Sequence, residues 1–148
     1  MDKTVIFPGM WGTIDSETID EPQMSYGVVT HRSGYKKVTF SGAVHPEGDI
    51  EEQTRTILTR RQQALDDLGG SMDDVTTLRL FVREDVLTPE TQVRIHEVRA
   101  EFFERPHYPA ATMVGVGSLL QEQSLVEIEL EAEIPDDGWD TDVITEKQ

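Results

Sequence analysis

The chain has 148 residues, enough for one domain and cramped for two. It carries 29 Asp plus Glu against 13 Lys plus Arg, for a formal net charge of -16, and no Cys. This balance weighs against nucleic acid and anionic membrane surfaces as partners, because both are bound through clustered cations and Lys36-Lys37 is the one lysine pair. The missing cysteines exclude disulfides, thiolate nucleophiles and cysteine metal sites.

Nine of the basic residues are Arg and four are Lys, and acids crowd the termini and turns. Such self-repulsion is tolerable where salt screens it, the Debye length falling to about 3 Å at 1 M, so a salt-adapted protein is the expectation. The first ten residues hold Asp2 and Lys3 and no apolar run long enough for a secretory signal, and no later stretch approaches a membrane span. The expected location is the cytoplasm.

Residues 1–23 mix Phe7, Met10 and Trp11 with Gly and Asp without a sustained period. They read as an extended arm whose aromatic residues dock on the body. Residues 26–30 and 37–44 read as two strands joined near Ser33-Gly34, with Ser41-Gly42 ending or bending the second. Apolar residues then recur at Ile50, Ile57, Leu58, Ala64, Leu65 and Leu68, one face of a helix closed by Gly69-Gly70. Arg60-Arg61 on this helix is expected in solvent, balanced by Glu and Asp.

Residues 75–82 form the next expected strand, with Leu78, Leu80 and Val82 on one face and Thr77, Arg79, Phe81 and Arg83 on the other. Thr88-Pro89-Glu90 starts a second helix, by capping hydroxyl, first-turn Pro and an acid at the positive dipole end. Ile95, Val98 and Phe102 form its inward stripe, and Arg105-Pro106 stops it. Residues 110–116 are a short strand. Residues 125–134 are the plainest strand, Val126, Ile128, Leu130, Ala132 and Ile134 alternating with Glu127, Glu129, Glu131 and Glu133. Residues 136–148 are an acidic tail with Trp139, mobile or laid on a neighbour.

This order predicts an α+β domain over residues 24–135, one mixed sheet with two helices packed on one face. The other face, with its Glu row and Arg79, Phe81 and Arg83, calls for a covering, and association of three sheets would supply one.

Several segments together resemble the RidA (YjgF) family. They are Phe40-Ser41-Gly42, Gln53 early in the first helix, the Leu68 to Val75 connection, Leu80-Phe81-Val82-Arg83, Phe102-Phe103, Tyr108-Pro109-Ala110 and Val126-Glu127-Ile128-Glu129. The resemblance covers about residues 26–134. It implies a chorismate-mutase-like fold and a homotrimer with small-molecule sites in the clefts between subunits, needing no cofactor. The best-known branch hydrolyses enamines and imines to ammonia and a 2-keto acid. An Arg after the Pro-Ala pair clamps the substrate carboxylate and a Glu of the last strand positions water. Glu127 matches that acid, whereas Ala111 stands where the Arg would be, followed by Thr112 and Met113. An Ala methyl cannot replace a bidentate guanidinium.

His96 stands at a family Asn position, and Ser41-Gly42-Ala43 replaces the family's Ser-Gly-Gln. Tyr26 is an ambiguous match to a Tyr that lines the family site. Glu127 is accordingly expected to orient water or exchange a proton with the substrate nitrogen, the alternative being one member of a solvated Glu row. His96 is expected as a weak anion donor or proton shuttle, or simply as a surface His. Arg79 and Arg83 could substitute for the missing cation, or could form cross-strand ion pairs with Glu129 or Glu131. Ser41 and Gly42 could offer a hydroxyl and a backbone N–H to a ligand oxygen, or the glycine could only bend the strand. His31, His45, His96 and His107 are scattered without metal-type spacing, so no metal site is expected. Two functions remain open: a hydrolase of small enamines or imines with altered substrate preference, and a trimer that binds a small metabolite without turning it over.

Overall fold

A two-residue turn at Ser33-Gly34 sets the first hairpin, and Gly34 takes a positive φ of 87° at its second position, the type II pattern that favours glycine there. It joins β2 (Gly27–Arg32) to β3 (Tyr35–Phe40) in a computed structural model that describes residues 1–9 and 15–147. The other elements are β1 (Asp2–Ile6), α1 (Ile50–Asp67), β4 (Val75–Arg83), α2 (Pro89–Arg99), β5 (Ala110–Val116) and β6 (Val126–Pro135), with a 3-10 turn at Met72–Asp74. One six-stranded sheet runs in the order β1-β2-β3-β6-β4-β5, antiparallel throughout except for the parallel β4-β5 pair. The fold is α+β, with both helices contributing to one core against one face of the sheet.

Strand β6 lies in the middle of the sheet, and its alternation is the reason. Val126, Ile128, Leu130, Ala132 and Ile134 are buried beneath the helices, while the intervening glutamates stay partly exposed on the other face. Burying each of the Val, Ile and Leu side chains stabilises by roughly 1.5–3 kcal/mol. Helix α1 starts on Asp49, whose carboxylate accepts the Glu52 N–H at 2.9 Å, and ends where the Gly70 N–H bonds the Leu65 carbonyl. Helix α2 starts as its sequence dictates, with Thr88 Oγ1 accepting the Thr91 N–H at 3.1 Å and Pro89 in the first turn.

Four expectations need correction. The N-terminal segment is partly regular: β1 pairs with β2 as an edge strand. Its residues are almost all exposed, so no burial alternation marks it in the sequence. Phe7 is exposed, and Met10 and Trp11 lie outside the described residues. Strand β3 stops at Phe40 rather than at residue 44, for a reason given below. Helix α2 ends at Arg99 rather than at Arg105-Pro106, the chain tightening so that the Phe102 N–H bonds the Arg99 carbonyl; Phe102 lies after the helix yet still packs half-buried against the core, next to the buried Phe103. Arg60 is exposed, but Arg61 is buried in the α1 stripe at 2% relative exposure.

The acidic tail is tied to its own chain at Trp139. The Trp139 indole donates to Asp74 Oδ1 at 2.8 Å, while Asp74 Oδ2 accepts the Ser71 N–H at 2.8 Å. Both oxygens of this buried carboxylate are thereby satisfied. No helix among the described residues is long and apolar enough to cross a membrane.

Candidate functional site

Strand β3 loses its register with β6 at Ser41-Gly42. Thr39 pairs with Glu131 and Ala43 with Ile128, so Phe40, Ser41 and Gly42 face only Glu129 and Leu130. This is a bulge, which bends a strand and leaves part of its backbone unpaired. The Ser41 N–H bonds the Tyr26 carbonyl and the Ala43 N–H bonds the Ile128 carbonyl, each at 3.0 Å, while the Gly42 N–H between them meets no acceptor among the described residues.

Glu127 lies against the bulge. A Cβ at position 42 would stand 3.0 Å from the Glu127 Cδ and 3.2 Å from its Cγ, so the glycine is there for room. Gly42 is not among the residues with positive φ. Partial burial pushes the Glu127 carboxyl above its ordinary pKa, and the neighbouring Glu129 charge adds to the rise. A carboxyl so placed is suited to holding a proton and giving it up.

Ser41 is less available than its sequence position suggests. Its Oγ donates to the Ser25 carbonyl at 2.6 Å, leaving lone pairs but no proton for a ligand. Its carbonyl accepts a bond from Arg61 Nη2 at 2.7 Å. The Arg61 guanidinium lies 4.5 Å from the Tyr26 ring centroid and 4.8 Å from that of Phe40. Arg61, expected in solvent by residue type, falls four residues after Ile57 and four before Leu65, a spacing that puts it on the apolar stripe.

Residues paired across neighbouring strands share a face. Phe81 is opposite both Glu127 and Val114, and Arg79 is opposite both Glu129 and Thr112. Gly42, Glu127, Arg79 and Thr112 therefore belong to the open side of the sheet. Ala111 is opposite Leu78 and Met113 opposite Leu80, both buried under the helices, so these two belong to the helix side. His96 is on α2, which covers that side; it is exposed, and its Nδ1 is 2.9 Å from the Gln92 carbonyl. A single chain thus brings Ser41, Gly42 and Glu127 together and sets Ala111, Met113 and His96 on the far side of the sheet.

Neither strand arginine is an unpaired cation. Arg79 stands between Glu129 at 3.6 Å and Glu131 at 3.5 Å, the ladder that the alternation allows. Arg83 clasps Asp85 at 3.0 and 2.6 Å and donates to the Glu122 carbonyl at 2.7 Å. Among the described residues no group of three His, Asp or Glu side chains could hold a metal ion. A groove of about 500 Å³ opens between β1 and α1, lined by residues including Ile6, Phe7, Tyr26, Gln63, Ala64 and Leu68, and it includes neither Glu127 nor Gly42.

The entry of β6 is held by Gln53, fully buried in α1. Its Nε2 donates to the Gly48 and Gln123 carbonyls at 3.1 and 3.0 Å, and its Oε1 accepts the Leu125 N–H at 2.8 Å. Glu127 follows two residues later, so this amide sets where the acid begins.

Comparison with known proteins agrees with the fold. The chain belongs to the Endoribonuclease L-PSP family, that of YjgF and RidA, which it matches over residues 23–134. It is 31% identical over 128 residues to the 3-aminoacrylate deaminase RutC of Acinetobacter baylyi, spanning 86% of this chain and 95% of that protein. A YjgF/YER057c/UK114 family member from Mycobacterium tuberculosis superposes with a TM-score of 0.69 at 28% identity, over 90% of this chain and 100% of that one. A YjgF family member from Neisseria meningitidis gives 0.69 at 21% identity, over 93% and 98%.

Proposed function

We propose that the protein hydrolyses small enamines or imines, releasing ammonia and a carbonyl product, in clefts between the subunits of a cytoplasmic homotrimer. The observation that carries this reading is the half-buried Glu127 carboxyl packed against the Gly42 bulge, with its pKa raised. In the reaction, protonation at carbon turns the enamine into an imine, water adds across C=N, and the C–N bond of the adduct breaks as nitrogen leaves protonated. Glu127 takes the proton from the attacking water and returns one to the departing nitrogen. The unpaired Gly42 N–H meets an oxygen of the ligand. The RutC relative is a 3-aminoacrylate deaminase, which supports an enamine as the substrate class.

Substrate preference differs from that of an arginine-bearing site. Ala111 has no guanidinium, and Thr112 and Met113 leave the strand without a cation. Loss of such a charge-assisted pair forfeits on the order of 1.5–3 kcal/mol. A cleft that combines Ala111, Met113 and His96 of one chain with Glu127 of another also calls for a second subunit. The trimer is checked by sedimentation at high salt, where a stable monomer would remove the shared cleft.

The enzymatic reading is tested by generating enamines in place with an amino-acid dehydratase and following carbonyl release. Acceleration that is lost in Glu127→Gln is the expected result; no acceleration with any amino-acid-derived imine would count decisively against it. The second reading, a trimer that binds a metabolite unchanged, draws on the pairing of Arg79 and Arg83 with their own chain's acids. It expects a ligand that raises the melting temperature and is recovered intact. RNA cleavage is disfavoured by the net charge of -16.

A further inference from the structure

Arg61 is a buried cation with no anion beside it. It is 2% exposed, pairs with no carboxylate among the described residues, and its Nε finds no hydrogen-bond partner. It is held by the Tyr26 and Phe40 ring faces and by one bond to the Ser41 carbonyl. Packing alone does not require this arrangement, since an apolar side chain would continue the stripe of Ile57, Leu58 and Leu65 and remove the cost of a desolvated charge.

The position of the one strong bond shows what the charge can do. The Ser41 carbonyl and the Gly42 N–H belong to the same peptide unit, a trans one, since Arg105-Pro106 is the cis bond. In a trans peptide the two dipole ends point in opposite directions. A guanidinium on the carbonyl end draws electron density toward itself and leaves the amide hydrogen more positive. Because the carbonyl points at α1, the hydrogen points away from α1, on the side of Glu127. The bulge leaves that same hydrogen without an acceptor among the described residues.

We propose that Arg61 is a positioning residue that acts through the Ser41–Gly42 peptide, sharpening the Gly42 N–H into the donor that receives the carboxylate of an anionic substrate. A fixed cation behind a peptide thus supplies, at one remove, part of the attraction that Ala111 cannot. The inference rests on the reading above that Gly42 meets a ligand oxygen, but it does not depend on turnover.

The test uses amide NMR and the variant Arg61→Met, with pyruvate as the anionic probe and pyruvamide as its neutral counterpart. In the ligand-free protein the Gly42 amide proton moves upfield in the variant. Pyruvate binding weakens about tenfold while pyruvamide binding is unchanged, and the melting temperature does not fall. Arg61→Lys, which keeps a cation on a long stem, retains part of the preference for pyruvate and serves if the Met variant does not fold. An unchanged Gly42 amide together with unchanged pyruvate affinity overturns the inference. So does equal weakening of the two probes, which is what a purely structural Arg61 gives, or failure of pyruvate to bind the unaltered protein. Absence of imine turnover with pyruvate binding intact and sensitive to Arg61 overturns the enzymatic reading and leaves this inference standing.

Discussion

The Glu127 carboxylate fills the space where a side chain at position 42 would stand. Acid and glycine are therefore one unit, and a methyl group at position 42 can be admitted by swinging the flexible end of Glu127 away. Gly42→Ala is expected to fold, with a melting temperature within a few degrees of the parent, and to lose roughly a hundredfold in the rate of the proposed enamine hydrolysis, the scale of an ångström's misplacement. The comparison of rate with thermal melting checks this. A variant that melts normally and keeps full rate would separate the glycine from the acid's placement.

The raised pKa of Glu127 has a sign in stability. The folded state holds its proton more tightly than the unfolded chain, so stability falls as pH rises from the ordinary carboxyl value through the folded one. Glu127→Gln is expected to raise the melting temperature at pH 7, because partial burial and the Glu129 charge disfavour the ionised form that the substitution removes. The gain should fade below the unfolded pKa, where both states are protonated. Melting curves of the two proteins at pH 7 and pH 4 decide it; a gain that grows toward acid would reverse the assignment.

Gln53 satisfies three backbone groups at once, two carbonyls and the Leu125 N–H. Gln53→Leu keeps the volume and strands all three. The cost is on the order of 3 kcal/mol, since each unsatisfied buried group costs about 1–3 and some relax toward water. Urea denaturation measures it, and a loss below about 1 kcal/mol would mean that the 123–125 segment is held by other contacts.

The net charge of -16 predicts a protein stabilised by salt. Raising sodium chloride from 0.1 M to 1 M shortens the Debye length from about 10 to 3 Å and is expected to raise the melting temperature by about 5 °C. A non-ionic osmolyte at matched water activity provides the control. Equal effects of the two would assign the gain to exclusion of solute rather than to screening.

How much of this could be read from sequence follows from which residues sit on a one-sided surface. The strand Val126–Pro135 was legible because one face is buried and the other is not, and the apolar stripe of α1 for the same reason. Strand β1 was not, since an exposed edge leaves no alternation to read. Arg61 was misread because residue type was weighed above position: a guanidinium on an apolar stripe looks like solvent until two aromatic rings are found over it. Glu127 could be singled out only by resemblance, being one of four alternating glutamates. Its distinction from Glu129, Glu131 and Glu133 comes from a one-residue bulge on another strand, which no local pattern in β6 encodes.

The sheet order has a consequence for synthesis. Among the described residues, strand β6 is the only bridge between β1-β2-β3 and β4-β5, and it is the last of the six strands in chain order. While the polypeptide is being made, two half-sheets and both helices wait with their apolar faces uncovered until Val126–Pro135 leaves the ribosome. Closure then brings the catalytic candidate, the central strand and the seal of the core into place in one step, so a nascent chain halted before Val126 has neither a finished interior nor an acid at its site.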